Sequence, residues 1–206
     1  MATLTASPAP IDTTAFPISV RGEWASRMTE EEFWTFCQDN PHLRIKRDAD
    51  HTILLMPPTG PLSIFRSGES FRQLSTWALD RPGLVCDSSG GFTLPDKSVL
   101  SPDASWISPE RLATVPDAEL LRFAHLCPDF IIEVISPSDS VPASHRKMAA
   151  WLTNGVRLGF LIAPASETAW VYHLGAEPTE VNGFDHTLSG EEVLPGFVLE
   201  LRRLRR

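Results

Sequence analysis

Cysteine is scarce in this 206-residue chain: Cys37, Cys86 and Cys127 lie far apart, each inside an apolar stretch. No paired spacing exists for a disulfide framework or a zinc site, so buried free thiols in a reducing cytoplasm are expected. No apolar run approaches the ~20 residues of a membrane helix, so no membrane partner is expected. The six histidines, His42, His51, His125, His145, His173 and His186, are scattered without ligand spacing. Positive charge is also short: 18 Lys and Arg against 26 Asp and Glu leave a net charge of −8. A chain of that sign does not coat nucleic acid through bulk charge. A local basic patch or a metal ion can still offset the acidity near a cleft. The chain has no helix rich in Arg and Asn for reading base edges and no aromatic platform for single strands. It has no Ser–His or Cys–His signature of nucleophilic hydrolysis. Its start lacks a basic segment followed by an apolar stretch, so no secretory signal is expected.

What is present is ordinary for one globular domain: 42% hydrophobic and 21% charged residues. Residues 1–17, rich in Ala, Thr and Pro, read as a disordered arm. Residues 202–206 (Arg-Arg-Leu-Arg-Arg) read as a solvated basic tail, and 18–201 as the folded unit. Thr29-Glu-Glu-Glu32 predicts a capping box opening a helix that stops at Asn40-Pro41. Leu43–Arg47 and Thr52–Met56 predict a hairpin. A helix is expected over Ile64–Leu79, strands at Leu84–Cys86, Gly91–Leu94 and Val99–Ile107, and a further strand at Phe130–Ile135. A helix follows over Ser138–Asn154 and ends at Gly155, which suits a left-handed position after a helix. Leu158–Ile162 and Ala169–Leu174 predict strands, and Leu194–Leu201 an edge strand. The order implies a mixed α/β fold with a central sheet flanked by helices.

Two segments carry the chemistry. Ser101-Pro-Asp103-Ala-Ser-Trp106 and Cys127-Pro-Asp129-Phe-Ile-Ile-Glu133-Val-Ile135 each place a carboxylate on or beside an apolar strand. Glu133 sits amid so many apolar residues that it must meet a cation or a donor, or pair structurally with an arginine. Asp129 shares its face and stands as a supporting or alternative ligand, or as a turn residue after Pro128. Lys147 lies on the helix that leaves the Glu133 strand. Two acids and a lysine on neighbouring elements are what a metal-dependent phosphodiester hydrolase uses: the acids hold a hard cation, and the lysine meets the charge that builds on phosphate.

Pro102-Asp103, Pro128-Asp129-Phe-Ile-Ile-Glu133-Val-Ile-Ser-Pro-Ser138, Lys147 and Asn154-Gly-Val-Arg-Leu-Gly-Phe-Leu-Ile162 together resemble the Uma2 family, also called DUF820. Phe33-Trp-Thr-Phe-Cys37, Met56-Pro-Pro-Thr-Gly60 and Leu194-Pro-Gly-Phe197 add to the resemblance, which covers roughly 18–201. It implies the PD-(D/E)XK restriction-endonuclease-like core and a DNA endonuclease. It also implies Asp103 and Glu133 as ligands of Mg²⁺ or Mn²⁺, and Lys147 as the catalytic lysine displaced onto a helix. No organic cofactor is implied. A small nuclease reaches both strands of a duplex most simply as a homodimer. Three positions depart from the family pattern: Lys46 where a glutamate is common in the first hairpin strand, Leu62 after the Pro-Pro-Thr-Gly turn, and Ala163 after the Leu158 strand. The alternative is therefore a catalytically degenerate member that binds nucleic acid or another protein.

Overall fold

The computed structural model describes residues 17–137 and 139–205. The expected N-terminal arm lies almost wholly outside these residues. In chain order the elements are β1 (Ile18–Val20), α1 (Glu23–Arg27), α2 (Glu30–Asp39), β2 (Arg44–Arg47), β3 (Ile53–Met56) and α3 (Pro61–Ala78). Then come β4 (Leu84–Asp87), β5 (Phe92–Thr93), β6 (Val99–Leu100), β7 (Ala104–Ile107), α4 (Pro109–Leu112), β8 (Ala124–His125) and β9 (Phe130–Val134). The chain continues through α5 (Val141–Thr153), β10 (Leu158–Ala163), β11 (Thr168–His173), β12 (Thr179–Asn182), β13 (Thr187–Ser189) and β14 (Val198–Glu200).

The strands form two six-stranded sheets, ordered β1-β3-β2-β6-β5-β8 and β12-β11-β10-β9-β7-β4, plus the β13-β14 pair. This is the mixed α/β layout expected, with one sheet more than the sequence implied. The reason is visible at Ser101-Pro102-Asp103. One strand was expected over Val99–Ile107, but Pro102 has no N–H to give to a ladder. The chain breaks there: β6 pairs with β2 and β5 in the first sheet, and β7 pairs with β4 and β9 in the second. Asp103 therefore stands where the chain passes from one sheet to the other.

Alternation along β9 sorts its side chains. Phe130 and Ile132 join the core beneath α3, with Phe160 and Phe197, whereas Ile131 joins the core beneath α5, with Met148 and Trp151. The β9-α5-β10 unit is parallel, Glu133 facing Leu161 across the ladder. Ser140 caps α5 by accepting from the Ala143 N–H, and Gly155 follows with φ 116°, the left-handed position the sequence predicted. The Thr29–Glu32 capping box of α2 is present in both directions.

The C-terminus differs from a solvated tail. Leu201 and Leu204 are fully buried, and the arginines between and after them are drawn into ion pairs: Arg202 and Arg203 with Glu200, Arg205 with Glu167 and Asp185. The i, i+3 leucines make this short turn a part of the core. Phe197 and Leu199 are core as well, which leaves Val198 as the exposed residue of that strand. All three cysteines are free, and burial pushes their thiols up, to about 11 for Cys37 and Cys86 and about 12 for Cys127.

Gly83 lets the chain leave α3 and enter β4. It has φ 113°, and a Cβ there would sit 2.6 Å from the Ile107 carbonyl oxygen, a backbone atom that cannot step aside. Gly83→Ala is expected to cost about 2 kcal/mol or more, since strain and overpacking act together; urea unfolding of the two proteins checks this.

Candidate active site

Four segments converge on one charge cluster. Asp103 opens β7, Glu133 is the fourth residue of β9, Lys147 lies in the second turn of α5, and Lys46 comes from β2 of the other sheet. The Asp103 backbone N–H donates to the Ile132 carbonyl at 3.1 Å, and its Oδ2 accepts from the Val134 N–H at 2.8 Å. These two bonds straddle Glu133 on β9 and hold the Asp103 carboxylate beside it.

Glu133 is 7% exposed. Its Oε1 meets the Lys147 ammonium at 2.5 Å and accepts from the Trp151 indole N–H at 2.9 Å. Lys147 and Trp151 are four residues apart, hence one above the other on the same face of α5. A single helix face thus supplies both a charge and a neutral donor to one carboxylate oxygen. Lys46 donates from Nζ to the Ser101 carbonyl at 3.2 Å, just before the Pro102 break, and is within electrostatic reach of Lys147, Glu133 and Asp103.

The electrostatics follow from this crowding. Burial, then the like charge of Glu133, pushes the Asp103 carboxyl up to about 6. Burial, then the neighbouring Lys147 charge, pushes the Lys46 amine down to about 8. Burial also opposes the charge on Lys147, but Glu133 and Asp103 together outweigh it, and its pKa lies above that of an ordinary lysine.

Asp129 is not in this cluster. It lies four residues before Glu133, roughly 13 Å along the strand. There its Oδ2 accepts from the Ser108 N–H at 2.8 Å, and Oδ1 pairs with Arg111 at 3.1 Å and Arg157 at 3.5 Å. Arg111 also donates to the carbonyls of Cys127, Pro128 and Gly155. This network ties α4 and the α5–β10 turn to the start of β9, so Asp129 holds the fold together at the far end of the strand. Trp151 and Arg111 both escaped the sequence reading. The i+4 spacing of Trp151 from Lys147 is the signal that could have found the first; Arg111 lies in a short helix, and nothing local marks it.

Asp103 opens into a shallow cleft of about 150 Å³ whose lining includes Arg44, Thr59, Ser67 and Phe71. Among the described residues no group of three or more His, Cys, Asp or Glu side chains could hold a metal ion. Two carboxylates remain, each with one oxygen engaged by protein donors and the other without a protein partner among the described residues. That set fits a Mg²⁺-type ion, which keeps waters and substrate oxygens and asks for only one or two carboxylates. It is too small for an all-protein cage.

Two outcomes follow. Between about 3.9 and about 6 the folded Asp103 holds a proton that the unfolded chain has released, so this group makes stability fall as pH rises through that window. Asp103→Asn keeps an acceptor for the Val134 N–H without the charge. Its free energy of unfolding, taken relative to wild type, should be larger by about 1–3 kcal/mol at pH 7 than at pH 4. Glu133→Ala strips Lys147 of its partner and should cost about 3 kcal/mol, whereas Glu133→Gln, which still accepts from Trp151, should cost less; both are read by urea unfolding.

The profile of the family described as "Uma2: Putative restriction endonuclease" matches residues 30–202. A crystal structure from Anabaena variabilis ATCC 29413, described as "a putative nuclease belonging to DUF820", has a similar fold. The TM-score is 0.65 over 78% of this chain and 89% of that one, at 17% sequence identity. At that identity the likeness is one of fold. No curated protein matches. The profile takes in both sheets except β1, the cluster of Asp103, Glu133 and Lys147, and the start of the C-terminal turn, and the chain belongs to the Uma2 family.

Proposed function

We propose that this chain is a metal-dependent DNA endonuclease that hydrolyses phosphodiester bonds at Asp103, Glu133 and Lys147. The observation that carries the reading is the 2.5 Å contact between Lys147 and Glu133, with Asp103 hydrogen-bonded to the residue after Glu133. Family membership supports a nuclease; the cluster supports a PD-(D/E)XK-type division of labour in which the lysine comes from the helix. Asp103 and Glu133 would hold Mg²⁺ or Mn²⁺, which when bound polarises a phosphoryl oxygen and makes a water more acidic. Trp151 and the Val134 N–H fix the two carboxylates, so they need not reorganise when substrate arrives. Lys147 stays protonated beside its two acids and presents that charge to the non-bridging oxygens as negative charge grows on phosphate. Arg44, exposed at the cleft, meets the backbone of the approaching strand. A homodimer would bring two such clefts to the two strands of a duplex.

Lys46 favours a second reading, a family member that binds nucleic acid or protein without cutting. Its ammonium already offsets part of the charge that a divalent ion would neutralise. Removing it should strengthen Mn²⁺ binding at least about tenfold, the ~1.4 kcal/mol that a nearby like charge is worth.

Supercoiled plasmid with Mg²⁺ or Mn²⁺ separates the two readings. If the endonuclease reading holds, wild type nicks the plasmid and Glu133→Gln loses about 10²-fold or more of the rate. If wild type is silent and Lys46→Glu gains cleavage, the natural chain is a non-cutting member whose missing carboxylate is at residue 46. Calorimetric titration of Mn²⁺ into wild type and Lys46→Met gives the competition directly.

A further inference from the structure

Gly68 is a glycine that the fold does not require. It is the eighth residue of the 18-residue helix α3, a position where only proline is less favoured. It is not among the glycines with positive φ, and a Cβ placed on it would meet no atom within 4 Å. Gly83 and Gly159 differ: a Cβ would lie 2.6 Å from the Ile107 carbonyl oxygen at the first and 2.6 Å from the Met148 Cε at the second. Neither backbone conformation nor packing accounts for Gly68. An alanine would fit there and would hold the helix better.

Its surroundings supply the reason. Ile64, Ser67, Gly68 and Phe71 all line the cleft into which Asp103 opens. They fall at i, i+3, i+4 and i+7, a single stripe on one face of α3. A side chain at position 68 would therefore leave the helix on the same side as Ile64 and Phe71. Such a stripe usually packs against a core, yet here Ile64 is 57% exposed and Gly68 is exposed as well. Ser67 turns its hydroxyl back onto its own helix, 3.1 Å from the Ser63 carbonyl oxygen and 3.2 Å from that of Ile64. Between Ile64 and Phe71, roughly 10 Å apart along the helix axis, the wall of the cleft is thus notched down to the backbone. Arg44 and Asp87 line the same cleft, and Asp87 already accepts from the Ser89 N–H at 2.9 Å and from the Ser89 hydroxyl.

We propose that Gly68 seats the sugar–phosphate backbone of a DNA strand. The notch lets the strand pass close against α3, so that one phosphate reaches the Asp103–Glu133 pair while Arg44 meets the charge of another. Close approach of a backbone to a ligand is a use of glycine that no other residue serves, and the helix stability forgone at position 68 is its cost. This inference deepens the endonuclease reading and rests on its choice of DNA as substrate.

The test compares wild type with Gly68→Ala, Gly68→Leu and Thr76→Leu, the last on α3 but outside the cleft lining. Each protein is melted, then titrated into a fluorescein-labelled duplex with Ca²⁺ in place of Mg²⁺ so that the strand stays whole; anisotropy gives the Kd. Gly68→Ala should melt about 2–4 °C above wild type and bind the duplex about threefold or more weaker. Gly68→Leu should weaken binding about tenfold or more, with Mn²⁺ affinity by calorimetry unchanged, and Thr76→Leu should bind as wild type does. Weakened binding in both Gly68 variants supports the seat even where wild type never nicks plasmid, the outcome that ends the endonuclease reading alone. The seat is overturned if Gly68→Leu binds as wild type does, if Thr76→Leu weakens binding equally, or if Gly68→Ala melts lower than wild type. It is also overturned if Gly68→Leu weakens Mn²⁺ binding as much as duplex binding, because the side chain then acts on the acids. Wild type that binds no duplex overturns the seat and the endonuclease reading together. If Gly68→Leu does not fold, Gly68→Ala decides: a threefold loss supports the seat, and unchanged binding overturns it.

Discussion

A glutamate in the middle of an apolar strand cannot be left alone, and much of this fold is arranged around that fact. Glu133 is flanked on β9 by Ile132 and Val134 and faces α5 together with Ile131. Stranding a charge there would cost several kcal/mol. Lys147 and Trp151 share the task, one turn apart on one helix, and both end on the same carboxylate oxygen. The contact therefore fixes the rotation of α5 about its own axis as well as its height on β9. The apolar neighbours on that face, Met148 and Leu152, then drop into the core between helix and sheet. Packing and electrostatics specify the same register, which is how a natural sequence avoids competing arrangements.

The second carboxylate arrives by a different route. Pro102 ends one ladder and Asp103 begins the next, so a break in regular structure brings a side chain to the seam between two sheets. Asp103 is then tied to β9 at Ile132 and Val134, the residues either side of Glu133. Burial, and then the like charge of Glu133, raise the proton affinity of Asp103, and the cluster must find positive charge from outside the pair. Lys147 supplies one unit from α5. Lys46 supplies another from the first sheet, at a place where a carboxylate would have invited a metal ion. The chemistry open to the site thus depends on one residue of β2: a second ammonium leaves the pair balanced, whereas an acid would leave it short of a divalent cation.

Much of this was legible in the sequence, for identifiable reasons. Capping boxes, apolar positions at helical spacing and glycine after a helix end are local signals, and α2, α3 and α5 came out within a few residues of their predicted bounds. Glu133 was legible because a charge in an apolar run is costly in any fold. Asp129 shows the limit: it has the right residue type and the right face, yet Arg111 and Arg157 claim it at the other end of the strand. Those arginines belong to other elements, and sequence spacing does not say which acid they will meet. The C-terminal arginines misled for a related reason. A run of positive charge looks solvated until the leucines between them are seen to bury. The division into two sheets was hidden because a proline inside an apolar run says that a ladder stops, without saying where the chain goes next.

β2 carries the sharpest contrast in the molecule. Lys46 and Arg47 are adjacent, both drawn largely out of water, and on opposite faces of one strand. On one face the ammonium finds a carbonyl at 3.2 Å and two carboxylates within electrostatic reach. On the other the guanidinium finds an aromatic ring and two distant carbonyls. The hydrophobic effect cannot account for either placement, because shorter apolar side chains would fill both faces at lower cost. For Lys46 the compensating charge comes from the chain itself, and the two acids explain why the lysine is tolerated. For Arg47 the nearest compensation is the Phe33 ring, with Glu30 acting from beyond ion-pair distance. The two faces of one strand thus carry their cations differently: one closes on the protein's own acids, and the other on an aromatic ring and backbone carbonyls.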